Sequence, residues 1–217
     1  MNYVEALASA LRKVNSVRID KTEIHEKLME MATTIHQCPV RNKQGRDLAT
    51  VIKCCSNIVG EYAIVKALTS LDECSQLNPH QFDEKNKETY KYDVEHHANE
   101  RKYLIEFKRM AGAWFSMQDS QLKTFKKHAQ ELDALVTAYI DEYPDHYTVI
   151  FSLVINPKTF EHYWTPSNFT KAAKKSAHYY SHHIAKKRSD CSLVQVLTTR
   201  TKEYYDNLNF VIEDYND

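Results

Sequence analysis

The sequence predicts an α/β sandwich with a mixed central sheet, and three observations carry that prediction. Apolar residues recur at helical spacing from Val4 to Leu68, the period shortens to strand-like alternation beyond Tyr90, and residues 147–155 form an almost unbroken apolar run. A run that is apolar on both faces belongs in the middle of a sheet covered on both sides. With 217 residues, 42% hydrophobic and 27% charged, the chain can bury a core. One domain is expected over 1–217, with an N-terminal helical part at 1–46, a core at 47–156 and a C-terminal extension at 157–217.

Val4, Leu7, Ala8 and Leu11 mark a first helix, and Ile24, Leu28, Met31 and Ile35 a second. Residues 39–45 are a basic loop rich in breakers. Asp47 is then the N-cap of a longer helix carrying Leu48, Val51, Ile52, Cys55, Val59, Tyr62, Val65 and Leu68. Residues 70–88 are polar, contain Pro79 and read as a loop. Strands are predicted at 90–95 and 102–109, joined by a polar turn at 96–101. A loop follows Gly112. Leu122, Phe125, Ala129, Leu132, Leu135 and Val136 then predict a helix over 120–140. The central strand at 147–155 comes next, followed by a basic helix over 168–187 and short strands at 192–198 and 210–212.

Several function classes are excluded. The three glycines, Gly45, Gly60 and Gly112, have the spacing of neither a Walker A loop nor a Gly-x-Gly-x-x-Gly dinucleotide turn. Lys+Arg and Asp+Glu total 29 each, so any nucleic-acid binding needs a local basic patch. Five cysteines without a Cys-x-x-Cys pair fit free thiols in a reducing cytoplasm. No apolar run approaches the ~20 residues of a membrane helix, and the N-terminus has no signal-peptide core. The expected location is therefore the cytoplasm, with no membrane partner. Low glycine with abundant Tyr, Lys and Asn points to a phage or mobile element, and hence to a host cytoplasm.

The chemistry is concentrated in residues 91–108, KYDVEHHANERKYLIEFK. Side chains alternate along a strand, so burying Ile105 and Phe107 presents Glu106 and Lys108 together on the opposite face. With a turn at 96–101, Glu95 pairs with Lys102 and Asp93 with Leu104. That register places Asp93 diagonal to Glu106, about 7–8 Å away between backbones. A one-residue bulge would spoil it. Two carboxylates held close repel each other, and a hard divalent cation relieves the repulsion. Mg²⁺ takes oxygen ligands, keeps several waters and shares its shell with substrate phosphates. Such an ion activates water and neutralises phosphoryl charge, while Lys108 can orient or help deprotonate that water, or stabilise developing negative charge.

At these residues the chain resembles the PD-(D/E)XK nuclease superfamily, whose fold is restriction-endonuclease-like. Asp93 matches the motif aspartate, with Tyr92 where proline often stands, and Glu106 and Lys108 match the (D/E)-x-K pair around Phe107. Residues 57–68, NIVGEYAIVKAL, look like the Gly-Glu helix that often precedes the motif, which makes Glu61 a further acidic candidate. The resemblance spans about residues 47–156 in element order. It implies a restriction-endonuclease-like core, a mixed central sheet flanked by helices, with N-terminal helices and a C-terminal extension. It also implies a Mg²⁺-dependent endonuclease acting on DNA, with Mn²⁺ able to substitute and a homodimer as one assembly. Asp93 and Glu106 would bind metal, Lys108 would serve the attacking water, and Glu61 would assist.

Other readings stay open. Glu and Lys two apart on a strand also form ordinary solvated ion pairs, and Glu61 on an amphipathic helix needs no special role. Some members of this superfamily have lost catalysis and serve as nucleic-acid-binding or protein-interaction modules. A mostly helical regulatory protein with a coincidental motif is a third alternative. Gln118 and Gln121 are expected near the start of the following helix. His96 and His97, in the expected turn, read as surface or substrate-side residues.

A second feature is residues 171–188, KAAKKSAHYYSHHIAKKR, which hold six Lys/Arg and three His without an acidic residue. On a helix Lys171, Lys174, Lys175, His178 and His182 share a face that Lys186 continues. Lys171, Lys174, Lys175, Lys186, Lys187 and Arg188 are the candidate phosphate contacts, with Tyr179 and Tyr180 as aromatic surface. An ordinary solvated helix face explains the same pattern.

Overall fold

The computed structural model describes residues 2–39, 42, 44–71, 74–77, 92–110, 114–118, 127, 129–158, 163–166, 179–183 and 191–193. Within them the chain forms four helices, α1 (Tyr3–Val14), α2 (Lys21–Gln37), α3 (Leu48–Cys54) and α4 (Asn57–Thr69). Ten strands accompany them: β1 (Ser16–Asp20), β2 (Cys74–Leu77), β3 (Val94–Ala98), β4 (Arg101–Arg109), β5 (Trp114–Gln118), β6 (Ala134–Glu142), β7 (His146–Ile155), β8 (Tyr163–Pro166), β9 (Tyr179–His183) and β10 (Cys191–Leu193). The fold is α/β, as expected, and the mostly helical alternative does not fit it.

The main sheet runs β1-β7-β6-β4-β3-β2, with β10 also on β7. It is mixed, because β4 and β6 are parallel while the other pairs are antiparallel. β1 and β10 pair with successive lengths of β7, opposite residues 146–150 and 153–155. The expected N-terminal helical part therefore contains a sheet strand, and the C-terminal extension supplies another. A second sheet joins β5, β9 and β8.

The expected central strand is β7, bonded on both edges. Its neighbour β6 corrects the sequence reading, which placed residues 134–140 in a helix. Leu135, Val136, Thr137, Ala138, Tyr139 and Ile140 are all buried. A strand buried on both faces loses the alternation that marks strands, so its apolar spacing also fits a helix. The β-branched and aromatic residues Val136, Thr137, Tyr139 and Ile140 favour the extended form.

Other boundaries shift for local reasons. The long helix expected from Asp47 breaks at Cys55 and Ser56 into α3 and α4, bent by 50°. Its apolar pattern is continuous because both pieces bury residues in the same core. Asp47 caps α3 as expected, accepting from Thr50 N at 2.7 Å. β2 falls within the expected loop at 70–88, and β5 replaces the loop expected after Gly112. The expected basic helix is interrupted by β9, so a helical face cannot run from His178 through His182 to Lys186. Lys171, Lys174, Lys175, Lys186, Lys187 and Arg188 lie outside the described residues, as do Gln121 and the expected strand at 210–212. Among the described residues no single helix is long and apolar enough to cross a membrane; α3 and α4 meet that length and composition only as a bent pair. Cys38, Cys54 and Cys55 are free thiols.

Candidate active site

The site begins with the β3–β4 hairpin. Its turn is shorter than expected: Ala98 pairs with Arg101, leaving only Asn99 and Glu100 between the strands. Both have left-handed backbones, with φ of 50° and 59°, the geometry that matches the twist of a two-residue hairpin. The register moves accordingly: Glu95 faces Leu104 and His97 faces Lys102. Relative to the expected pairing this is a two-residue slide, which preserves the side-chain faces because the strand period is two.

Ile105 and Phe107 are buried in the core, while Glu106 and Lys108 are only partly buried, at 16% side-chain exposure each. Burying an apolar side chain such as Phe107 contributes roughly 1.5–3 kcal/mol. A one-residue slip would lose that burial and force both charged side chains into the apolar layer, so the register is well defined.

Asp93 precedes β3. Its N–H donates to Ile105 O at 2.9 Å, although Val94 is the ladder partner of Ile105, so the chain leaves regular pairing here. Phe107 N–H donates to Asp93 Oδ2 at 2.7 Å. That bond fixes the carboxylate against the backbone between Glu106 and Lys108.

α4 supplies the next part. A Cβ on Gly60 would lie 2.7 Å from Phe107 Cε2 and closer still to Cζ and Cε1. Only glycine lets this helix approach β4 so closely, and the following residue, Glu61, is 5% exposed. The Glu61 charge reaches Lys108.

The electrostatics join these pieces. Lys108 Nζ donates to Glu106 Oε1 in an ion pair. Burial, and then the charge of Asp93, push the Glu106 carboxyl up to about 7, against the pull of Lys108. Burial disfavours the Lys108 ammonium, but Glu106, Asp93 and Glu61 outweigh it and hold the proton above the usual lysine range. Three of the sequence candidates, Asp93, Glu106 and Glu61, thus act on the fourth, Lys108. Among the described residues no three His, Cys, Asp or Glu side chains make a ready metal cage.

The two histidines of the expected turn lie on β3. His96 is 3% exposed, correcting the surface reading: its Nδ1 is 2.7 Å from Tyr3 Oη, and Tyr3 stacks on Tyr103 with ring centroids 3.7 Å apart. His97 is exposed and meets Glu95 at 2.6 Å. Glu95 also accepts from Tyr92 Oη at 3.0 Å and meets Lys102 at 3.3 Å. Burial pushes its carboxyl up, but His97, Tyr92 and Lys102 bring it below the ordinary value. Gln118 ends β5 rather than opening a helix.

The sequence reading missed the environment on the far side of Lys108. Thr137 is the ladder partner of Lys108 on β6 and is fully buried, as is Ser152 on β7. These hydroxyl residues amid the apolar runs of 134–155 were the available signal. No family model, curated protein or solved structure matches the chain.

Proposed function

We propose that the chain is a Mg²⁺-dependent nuclease of the restriction-endonuclease-like type, hydrolysing phosphodiester bonds in DNA as an endonuclease. The observation that carries the reading is the convergence of Asp93, Glu106 and Glu61 on Lys108 in one partly buried cluster. The chain order α4, β2, β3, β4, β5, β6, with β4 and β6 parallel, supports the helix-then-hairpin part of the order that the resemblance implies; among the described residues β5 and β6 stand in the stretch where that order has a second helix.

The donor set fits a hard divalent cation. Asp93 raises the proton affinity of Glu106, so the two carboxylates repel in a poorly solvated place. Mg²⁺ needs only one or two carboxylates beside water and phosphate. Asp93 and Glu106 would hold it, and Mn²⁺ would substitute. When bound, the ion lowers the pKa of its water and offsets charge on the phosphoryl oxygens.

The chain's own residues do the rest. Water oxygen adds to phosphorus, one ester bond breaks, and a proton ends on the departing oxygen. Lys108 keeps its proton because three carboxylates face it. A held ammonium donates rather than accepts, so Lys108 acts by orienting the water and countering charge that develops on phosphate. Glu61 keeps that ammonium charged and in place, and the Phe107 N–H holds Asp93. The basic residues of 171–188 remain the candidate backbone contacts, on sequence alone.

The Glu106–Lys108 ion pair also favours a second reading, a catalytically silent nucleic-acid-binding or protein-interaction module in which the pair is structural. Incubation with supercoiled plasmid, linear duplex and single-stranded DNA, in Mg²⁺ or in EDTA, separates the two. The nuclease reading expects nicking or cutting of closed plasmid in Mg²⁺ alone. Intact DNA in every metal condition, with DNA still bound, would support the silent module.

A further inference from the structure

β6 and β7 do not pair evenly. Thr137 faces Leu153, but the next residue, Ala138, faces Phe151, so Ser152 is an extra residue on β7 without a partner on β6. Ser152 is 1% exposed, and among the described residues its Oγ has no hydrogen-bond partner. An extra strand residue with an unsatisfied buried hydroxyl is a cost that packing alone does not require. Thr137 closes the gap: its Oγ1 accepts from Leu153 N–H at 3.1 Å and donates to Leu153 O at 3.4 Å.

This irregularity lies one strand from the candidate cluster. Lys108 is the ladder partner of Thr137, and the end of β4 is pinned to β6 just past the shift. Met110 N–H donates to Ala138 O at 2.8 Å, and Arg109 Nη2 to Ile140 O at 3.0 Å. Bulges raise local twist and re-aim neighbouring side chains, and they concentrate beside active sites.

We propose that the Thr137–Ser152 bulge is a positioning device for Lys108. It sets the twist of β6 where β4 ends, and so the angle at which the ammonium meets Glu106. Thr137 and Ser152 touch no reacting atom in this scheme; they act through Lys108. The catalytic part of the inference rests on the nuclease reading, whereas the geometric part does not.

Deleting Ser152 tests it without scrambling the sheet. Phe151 and Leu153 already occupy opposite faces, so the deletion restores regular alternation on both sides. In metal-free protein, amine acylation followed by mass spectrometry reads the exposure of each lysine. Deletion should raise Lys108 labelling several-fold and leave Lys21 and Lys66 unchanged, while Ser152→Ala, which keeps the bulge, should label like the wild type. In Mg²⁺ the deletion should lower kcat roughly tenfold to a hundredfold with little change in KM. Unchanged Lys108 labelling in the folded deletion variant would overturn the proposal, whatever happens to cleavage. Raised labelling with no cleavage even by the wild type would leave the bulge standing and remove the nuclease reading. Should the deletion not fold, Thr137→Val decides by the same labelling: selective exposure of Lys108 supports the proposal, and a wild-type pattern ends it.

Discussion

Lys108 is where the residue-scale account makes its sharpest claim. Its ammonium pairs with Glu106 and feels the charges of Asp93 and Glu61, so the role proposed for it is to counter charge that appears only as phosphate reacts. Lys108→Ala should therefore lose most of the turnover while DNA affinity, measured in Ca²⁺ or EDTA, changes little. A loss of binding in proportion to turnover would make Lys108 a phosphate anchor instead. Alternation alone made Glu106 and Lys108 legible in the sequence, because Ile105 and Phe107 so clearly belong inside. Asp93 was legible for a weaker reason. Its expected register was two residues off, and the face survived because an even slide keeps parity. What sequence spacing could not reveal was the Phe107 N–H bond that fixes Asp93, or the burial of His96 against Tyr3, since each depends on where the turn falls.

At the scale of elements, α4 and β4 form the critical contact. Gly→Ala in a helix interior ordinarily stabilises by about 1 kcal/mol. At Gly60 the added Cβ enters the volume of the Phe107 ring, so Gly60→Ala should instead destabilise, by about 1–3 kcal/mol. Denaturant melts would show this, and adding Phe107→Leu should recover part of the loss. If Gly60→Ala melts later than the wild type, the helix does not approach β4 as described. The link between α2 and α4 has its own pH signature. Burial pushes Glu23 up, but hydrogen bonds from Lys66 and Tyr62 bring its carboxyl below the ordinary value. A depressed carboxyl pKa stabilises above the ordinary carboxyl range, and that contribution disappears as pH falls through the lowered folded value. Between neutral pH and acid the wild type should therefore lose its advantage over Glu23→Gln, an effect of about 0.2–1 kcal/mol for a pair this exposed. An advantage that stays constant with pH would show that the Lys66 contact contributes no charge-dependent stability. Helices packed on one side were readable from their period, and the long central strand from its unbroken apolar run. β6 was not, because burial on both faces erases the alternation, and neither was β9, whose pairing with β5 and β8 replaces the helix expected at residues 179–183.

For the whole molecule, the arrangement of strands matters more than any single boundary. β7 collects β6 along one side and β1 and β10 along the other, so β1 and β10, far apart in the chain, together form one edge of the sheet. The parallel pair β4 and β6 then carries the candidate cluster on one side of this frame, with α4 packed against β4. The sequence conveyed the mixed α/β character and the place of the motif within it. It could not convey strand order, because pairing partners are distant in the chain and periodicity describes only one strand at a time. The central claim is that this frame brings Asp93 and Glu106 together to support phosphodiester hydrolysis with a divalent ion. Its most direct test is plasmid cleavage in Mg²⁺ by wild type, Asp93→Ala and Glu106→Ala at matched concentration, each verified as folded by circular dichroism. The account predicts Mg²⁺-dependent cutting by the wild type and no cutting above the EDTA background by either variant; cutting by both folded variants at the wild-type rate would contradict it.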